Sequence, residues 1–329
     1  MVRINAEKIS ELKKLSTKNG LIEALAMDQR GALKKLMLPF LDNPSVDQMK
    51  EFKKLVAQTL TPYASAILLD PEFSDLAIQA TDPNCGLLVA YEKSGYDTTA
   101  PGRQPDLMPE LTVRKLKEAG ADAIKILVYY DVDEPDSINV RKQVFIERIG
   151  TECDANQIPF FLEILNYDGQ IEDAGSAEYA RIRPHKVIES VKEFTKPQYR
   201  ADVLKLEVPV TMTFVEGYTE AGLEPVYSRT EAKNYFKAQS DATDLPFIFL
   251  SAGVPAELFR ETLAFAKTGG SQYNGVLCGR ATWKGAVEVY CKEGVEAAQT
   301  WLKTVGQADI EALNQVVEAN ATVIAELAN

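Results

Sequence analysis

The chain has 329 residues, of which 46% are hydrophobic and 26% charged, the profile of a globular protein with a large core. Its 36 basic and 48 acidic side chains leave a net charge of −12, which disfavours nucleic acid and membranes as partners because anionic surfaces need a basic face. The sequence opens without an apolar signal core and no run approaches the length of a membrane helix, so we expect a cytoplasmic protein.

The numbers of cysteine and histidine residues limit the disulfides and metal sites that the chain can form. The 4 cysteines form no CxxC pair, which suggests a reducing compartment. The single histidine, His185, lies in Arg183-Pro184-His185-Lys186, a stretch that we interpret as a surface loop. One histidine without a cysteine cluster cannot build an imidazole-rich zinc site, and we expect neither a metal nor another cofactor.

Apolar runs alternate with helical patterns along the whole chain. In chain order, the predicted strands cover residues 21–28, 64–70, 86–92, 121–130, 159–165, 203–210, 246–253 and 275–280. The predicted helices cover residues 4–18, 46–63, 110–119, 136–156, 184–195, 229–241, 255–268, 285–302 and 307–327.

Eight such units indicate an α/β fold of the TIM (β/α)₈ barrel type. The strands are continuous apolar runs, as in a parallel sheet covered by helices. An open doubly wound sheet is the alternative, but the first strand is followed by Asp28-Gln29-Arg30-Gly31 rather than a Gly-rich phosphate fingerprint. No linker interrupts the pattern, so we predict one domain over residues 1–329, with an N-terminal helix and C-terminal helices.

The sixth strand carries a lysine, Lys205, in the middle of an apolar run. Burying an ammonium group is costly unless the group is paired or neutral, and a neutral amine attacks carbonyl carbons. Lys205 is therefore either a Schiff-base lysine or the partner of a buried carboxylate, for which Glu207 and Glu163 are the candidates.

A second lysine, Lys125, lies in the fourth strand, and Glu163 lies in the fifth. Side chains from alternate barrel strands share interior layers, so Lys125 and Lys205 can approach each other. Their mutual repulsion and their burial would lower the pKa of Lys205. Glu163 between them can move protons, can pair with either lysine, or can do both.

The loops after strands seven and eight carry Ser251, Gly253, Gly279 and Arg280. Many barrels bind phosphate there through backbone N–H groups and a helix N-terminus, and an arginine adds a bidentate cation. The alternative to phosphate binding is that these loops are two ordinary glycine turns beside an exposed arginine. At the end of strand one, Asp28 can bind hydroxyl groups or orient a lysine.

Together these residues resemble the class I tagatose-1,6-bisphosphate aldolases of the lactose (tagatose 6-phosphate) pathway of Gram-positive bacteria. The resemblance runs through nearly the whole chain in order. The matching stretches are Ala-Leu-Ala-Met-Asp28-Gln29-Arg30-Gly-Ala-Leu-Lys, Leu-Leu-Asp70-Pro-Glu, Ala-Tyr-Glu92-Lys-Ser-Gly-Tyr, Phe-Phe-Leu-Glu163-Ile-Leu, Asp-Val-Leu-Lys205-Leu-Glu-Val-Pro-Val, Leu-Ser251-Ala-Gly-Val and Asn-Gly-Val-Leu-Cys-Gly279-Arg280-Ala-Thr-Trp.

The resemblance implies a metal-independent Schiff-base aldolase. Lys205 would form the imine and Glu163 would shuttle protons, with Lys125 and Asp28 lining the catalytic pocket. The substrate, chiefly its phosphates, would be held by Gln29, Arg30, Ser251, Gly253, Gly279 and Arg280.

The implied reaction is reversible cleavage of D-tagatose 1,6-bisphosphate to dihydroxyacetone phosphate and D-glyceraldehyde 3-phosphate. Loose stereochemical control in the family extends the expected substrates to fructose 1,6-bisphosphate and other epimers. Two alternatives are an aldolase for a sulfonated ketose 1-phosphate and a catalytically idle sugar-phosphate sensor. The expected partners are a small sugar bisphosphate and a second copy of the chain in a homo-oligomer, most simply a dimer.

Overall fold

A closed barrel of eight parallel strands forms the centre of the computed structural model, which describes residues 4–96, 99–219 and 222–328. The strands follow one another around the barrel in chain order, so the predicted (β/α)₈ architecture is confirmed and the open sheet is excluded. They are Ile22–Ala26 (β1), Ala66–Leu69 (β2), Gly86–Ala90 (β3), Ala123–Tyr130 (β4), Phe160–Asn166 (β5), Val203–Leu206 (β6), Phe247–Phe249 (β7) and Gly275–Cys278 (β8).

Helices surround the barrel and extend beyond its two ends. They are Ile9–Lys14 (α1), Gly31–Met37 (α2), Val46–Leu60 (α3), Asp75–Ala80 (α4), Val113–Glu118 (α5), Asp136–Ala155 (α6), Ala177–Phe194 (α7), Arg229–Asp241 (α8), Ala256–Thr268 (α9), Arg280–Glu293 (α10), Val295–Trp301 (α11) and Gln307–Asn320 (α12). Among the helices described, none has the length and apolarity needed to span a bilayer.

Several predicted boundaries are wrong. The helix predicted over 184–195 begins at Ala177, so His185 lies in α7 and not in a loop, although its side chain is exposed as expected. Pro184 misled the prediction because proline usually ends a helix. The helix predicted over 285–302 begins at Arg280 and is divided at Gly294.

Two separate apolar cores follow from the alternation of side chains along each strand. Ile22, Ala24 and Ala26 of β1 point into the barrel, whereas Leu25 points outward to the helices. The outward core is the larger one and fixes the helices against the sheet. The inner core consists mainly of Leu, Ala and Ile side chains, with Phe161 as a large aromatic member.

The amino end of the barrel is closed by both ends of the chain. Leu12 and Leu15 from the N-terminal region pack with Ile324 and Leu327 from the C-terminal region, and all four side chains are buried against the inner core. The Ile324 N–H donates to the Gly20 carbonyl at 3.0 Å, which ties the last segment to the start of β1. The opposite, carboxyl end is therefore where the strands and their loops can form a site.

Candidate active site

Lys205 lies on β6 beside Glu163 of the neighbouring strand β5, with the two residues paired in register. The Lys205 Nζ lies 2.8 Å from Glu163 Oε1, and both side chains are almost fully buried. Glu207, the other candidate partner, instead accepts hydrogen bonds from Arg183 at 3.1 Å and from the Asn166 backbone N–H at 2.6 Å. Of the two carboxylates that the sequence offered to Lys205, the structure selects Glu163.

Lys125 reaches the same carboxylate from β4. Its strand neighbour is Phe161, two residues before Glu163 in β5. The Lys125 Nζ nevertheless extends to Glu163 Oε2, at 2.8 Å. One carboxylate thus bridges two lysine ammonium groups, one on each oxygen.

Two more carboxylates complete the surroundings of Lys125. Asp28 Oδ2 lies 3.0 Å from the Lys125 Nζ, and Glu92 Oε1 lies 2.7 Å from it. Asp28 follows β1 and Glu92 follows β3, so each carboxylate stands just beyond the carboxyl end of a strand. Sequence reasoning did not assign Glu92 to the site, although its position after a buried strand is the same signal that drew attention to Asp28.

The charges of this cluster set its protonation. Burial would raise the pKa of Glu163, but Lys125 and Lys205 outweigh it, so the pKa is held below its ordinary value. The same lysines, helped by Lys53, hold the pKa of Asp28 low against its burial. Burial lowers the pKa of Lys125, but Asp28, Glu163 and Glu92 reverse this effect and raise it well above the ordinary lysine value. At neutral pH the site holds an ionised Glu163, able to accept a proton, beside a permanently charged Lys125.

A second group of polar residues lies at the ends of β7 and β8. Gly253 has φ +83°, and a Cβ at this position would lie 3.1 Å from the Arg280 Cζ, so only glycine leaves room for the guanidinium here. Arg280 is the first residue of α10, where the helix dipole favours an anion, and Gly279 precedes it as the N-cap. Ser251 is buried in the loop beside them. In the described ranges, no carboxylate forms an ion pair with Arg280, whose charge remains available to a ligand. We call Ser251, Gly253, Gly279 and Arg280 the anion pocket.

Arg30 contacts the loops after β2 and β3 rather than those after β7 and β8. Arg30 is buried and donates to Glu72 Oε2 at 2.6 Å and to the Glu92 carbonyl at 2.8 Å. Its guanidinium is thus already neutralised, on the side of the barrel formed by β2 and β3. The buried Gln29 Oε1 has no hydrogen-bond partner among the residues described.

Within residues 4–96, 99–219 and 222–328, no group of three or more His, Cys, Asp and Glu side chains is placed to hold a metal ion. The carboxylates that converge at the site are neutralised by lysines instead. Chemistry here can use an amine nucleophile, an ionised carboxylate and an anion pocket.

Comparison with known sequences places these features in a family. A family model described as "DeoC/LacD family aldolase" matches residues 22–285. Tagatose 1,6-diphosphate aldolase 2 of Enterococcus faecalis is 58% identical over 322 residues, which cover 98% of this chain and 97% of that protein. Tagatose 1,6-diphosphate aldolase of Lactococcus lactis is 55% identical over 320 residues, covering 97% and 98%.

Solved structures agree on the fold. Fructose-bisphosphate aldolase from Plasmodium falciparum superposes with a TM-score of 0.68 at 18% identity, over 97% of each chain. An archaeal fructose-1,6-bisphosphate aldolase superposes with a TM-score of 0.57 at 14% identity, over 93% of this chain and 99% of that one. At these identities the likeness concerns the barrel alone.

Proposed function

The chain belongs to the DeoC/LacD family of aldolases, and we propose that it cleaves D-tagatose 1,6-bisphosphate reversibly through a Schiff base on Lys205. The substrate is that named for its curated relatives. The observation that carries the proposal is the Glu163 carboxylate, which lies 2.8 Å from the amine of Lys205 and 2.8 Å from that of Lys125.

Imine formation begins with a proton transfer inside this cluster. Glu163 takes a proton from the Lys205 ammonium, and the neutral amine attacks the C2 ketone of the substrate. Glu163 then returns the proton to the carbinolamine hydroxyl, which leaves as water. The product is an iminium at C2 and a carboxylate that is ready to act again. Lys125 keeps its charge throughout, since three carboxylates surround it.

Carbon–carbon cleavage uses the same carboxylate as a base. Glu163 removes the proton of the C4 hydroxyl, the C3–C4 bond breaks, and its electron pair moves into the iminium to give an enamine. D-Glyceraldehyde 3-phosphate leaves. Protonation of the enamine at C3 and hydrolysis then release dihydroxyacetone phosphate from Lys205.

Arg280 and the N-terminus of α10 bind the phosphate on C1, next to the carbon that Lys205 attacks. Ser251 and Gly253 shape the same pocket from the β7 loop. The loose stereochemical control implied by the family resemblance extends the expected substrates to fructose 1,6-bisphosphate and other epimers. We assign the enzyme to the cytoplasm and expect a homodimer, which light scattering would test.

Borohydride trapping tests the central step. Incubation with dihydroxyacetone phosphate and borohydride should attach the three-carbon unit to Lys205, as peptide mapping would show, and Lys205→Met should abolish both labelling and cleavage. Label on Lys125 alone would refute the assignment. A sensor without catalysis would give no label. An aldolase for sulfonated ketose 1-phosphates would be labelled, but would cleave the sulfonate faster than the bisphosphate.

A further inference from the structure

The proposed substrate carries two phosphate groups, and the anion pocket at the ends of β7 and β8 would bind one of them. With C1 at Arg280 and C2 on Lys205, the carbon chain runs past Glu163 towards the mouth of the barrel. The distal phosphate, which departs with the aldehyde, needs a cation of its own. Glu163 pairs in register with Leu127, and two residues farther along the same face of β4 comes Tyr129. Tyr129 is therefore about 7 Å nearer the mouth than the Glu163 layer.

Arg103 lies above Tyr129. Its guanidinium carbon is 5.8 Å from the centre of the Tyr129 ring, 5.4 Å from that of Tyr96 and 4.2 Å from that of Tyr167. Tyr96 and Tyr129 also pack edge to face, with ring centres 4.9 Å apart. Three rings from the exits of β3, β4 and β5 thus hold one arginine over the site.

The backbone fixes this arginine in place. Arg103 has φ +50°, an unfavourable value for a residue with a side chain, and such strain persists only where the surroundings impose it. The next residue, Gln104, donates to the Ile138 carbonyl of α6 at 3.2 Å, while Glu92 and Leu107 pair at the base of the loop. The position of Arg103 is therefore a built feature of the β3 loop.

The charge of Arg103 is not neutralised by a carboxylate in the part of the chain that the structure describes. Arg30, the other arginine near β3, already pairs with Glu72 at 2.6 Å. Burial and the nearby Glu163 raise the pKa of Tyr129, and the charges of Lys125 and Arg103 oppose that rise. Tyr129 therefore stands between Arg103 and the Glu163–Lys125 pair. A guanidinium held by stacking keeps its N–H groups free for the oxygens of a phosphate.

We infer that Arg103 binds the distal phosphate and so selects bisphosphates over ketose 1-phosphates. This inference rests on the proposed function, because it presumes the C1 phosphate at Arg280 and the ketone at Lys205. It gives the aromatic surroundings of Arg103 a purpose, since Tyr96, Tyr129 and Tyr167 orient a cation that pairs with no carboxylate of the described residues.

Arg103→Gln tests the inference when two substrates are compared. For fructose 1,6-bisphosphate, kcat/KM should fall roughly 10- to 100-fold, as expected when one charge-assisted contact is lost. For fructose 1-phosphate, kcat/KM should change less than about threefold, and imine trapping with dihydroxyacetone phosphate should be unchanged. Arg280→Gln should impair both substrates and the trapping. Arg114→Gln, which removes an exposed arginine of α5, should affect neither.

A binding measurement separates this inference from the proposed chemistry. A hexitol 1,6-bisphosphate has no ketone, so calorimetry with it and with the hexitol 1-phosphate reports phosphate contacts alone. The wild type should prefer the bisphosphate, and Arg103→Gln should lose that preference even if Lys205 proves not to form an imine. Equal losses on both ligands, or an unchanged preference, would overturn the inference. Should Arg103→Gln fail to fold, Arg103→Lys keeps the charge and should retain part of the preference.

Discussion

At the residue scale, one carboxylate has two possible duties. Glu163 neutralises Lys125 and Lys205 in the resting site, and the proposed mechanism makes it the base as well. A purely structural carboxylate would matter most for stability, because removing one partner of a buried pair strands the other charge. A proton shuttle would matter most for turnover. The two duties can be separated by one substitution that preserves shape.

Glu163→Gln should fold and should still trap an imine with dihydroxyacetone phosphate. Carbon–carbon cleavage should slow by roughly 10²- to 10⁴-fold, the usual contribution of a general base. Thermal melting, trapped imine and turnover, measured on the same preparation, give the answer. A variant that folds well and turns over at a near-normal rate would exclude Glu163 as the base. A loss of several kcal/mol of stability would instead indicate that its ion pairs matter most.

At the element scale, a buried ion pair joins α3 to the loops that carry the site. Lys53 of α3 and Asp70 after β2 are completely buried and paired with each other. Lys53 also donates to the carbonyl of Met27, the residue before Asp28, at 2.8 Å. Asp70 accepts from the Ser74 hydroxyl at 2.7 Å and from the Phe73 N–H at 2.8 Å, so it organises the loop that presents Glu72.

Lys53→Met should therefore cost about 3–5 kcal/mol of unfolding free energy, because it leaves the Asp70 carboxylate buried without its counter-charge. Urea denaturation measures the loss. The double variant Lys53→Met with Asp70→Asn should recover part of it, since the amide is neutral and its oxygen can still accept the backbone bonds. Lys50→Met is the matched control, because Lys50 also lies on α3 but pairs with the exposed Asp75 of α4. A double variant no more stable than the single one would contradict this explanation.

The sequence predicted the elements better than their ends. Periodicity located all eight strands, but β6 stops at Leu206 and β7 at Phe249, well before the predicted ends, because a strand ends where its neighbours stop pairing. The apolar residues beyond, such as Val210, pack outside the sheet. The short helices α2 and α4 were not predicted, since six or seven residues carry too little periodicity.

The sequence predicted only part of the candidate site. Charged residues inside apolar strands, such as Lys125 and Glu163, stand out in any sequence. Glu92 ends an apolar strand as Asp28 does, so its signal was present but was not used; Arg103 does not stand out, because it lies in a polar stretch where charge is ordinary. The pairing of Arg30 with Glu72 depends on how the segments after β1 and β2 pack together. No local sequence pattern records such packing.

At the scale of the whole molecule, the charge of a residue on the last long helix acts on a buried carboxyl group of β1. Glu23 points outward from β1, is 6% exposed, and has one carboxylate oxygen without a hydrogen-bond partner among the described residues. Its burial, with the nearby charge of Glu318 on α12, raises its pKa to about 7. The folded protein therefore holds the Glu23 proton more tightly than the unfolded chain does.

The sign of the resulting pH dependence follows from linkage. Between about pH 4.5 and 7 the unfolded chain has already released the Glu23 proton while the folded protein keeps it, so stability falls as pH rises through this window. Glu23→Gln removes the effect and should raise the unfolding free energy at pH 8 by about 1–3 kcal/mol, with little change at pH 4. Urea midpoints at both pH values test this. Glu318→Gln should give a smaller gain at pH 8, and an equal loss at both pH values in Glu23→Gln would refute the account.

The closed amino end of the barrel determines the route by which substrate and water reach the site. Leu12, Leu15, Ile324 and Leu327 fill the amino end, so among the described residues the carboxyl end of the barrel is the route to the site. In the proposed mechanism the three-carbon ketone stays bound to Lys205 after cleavage, so the aldehyde departs first, and the water that frees the ketone enters by the route that the aldehyde has left. In the synthetic direction the ketone must load first. The proposed covalent bond to Lys205 thus sets the order of release, and the closed amino end makes both products and the water use the same opening.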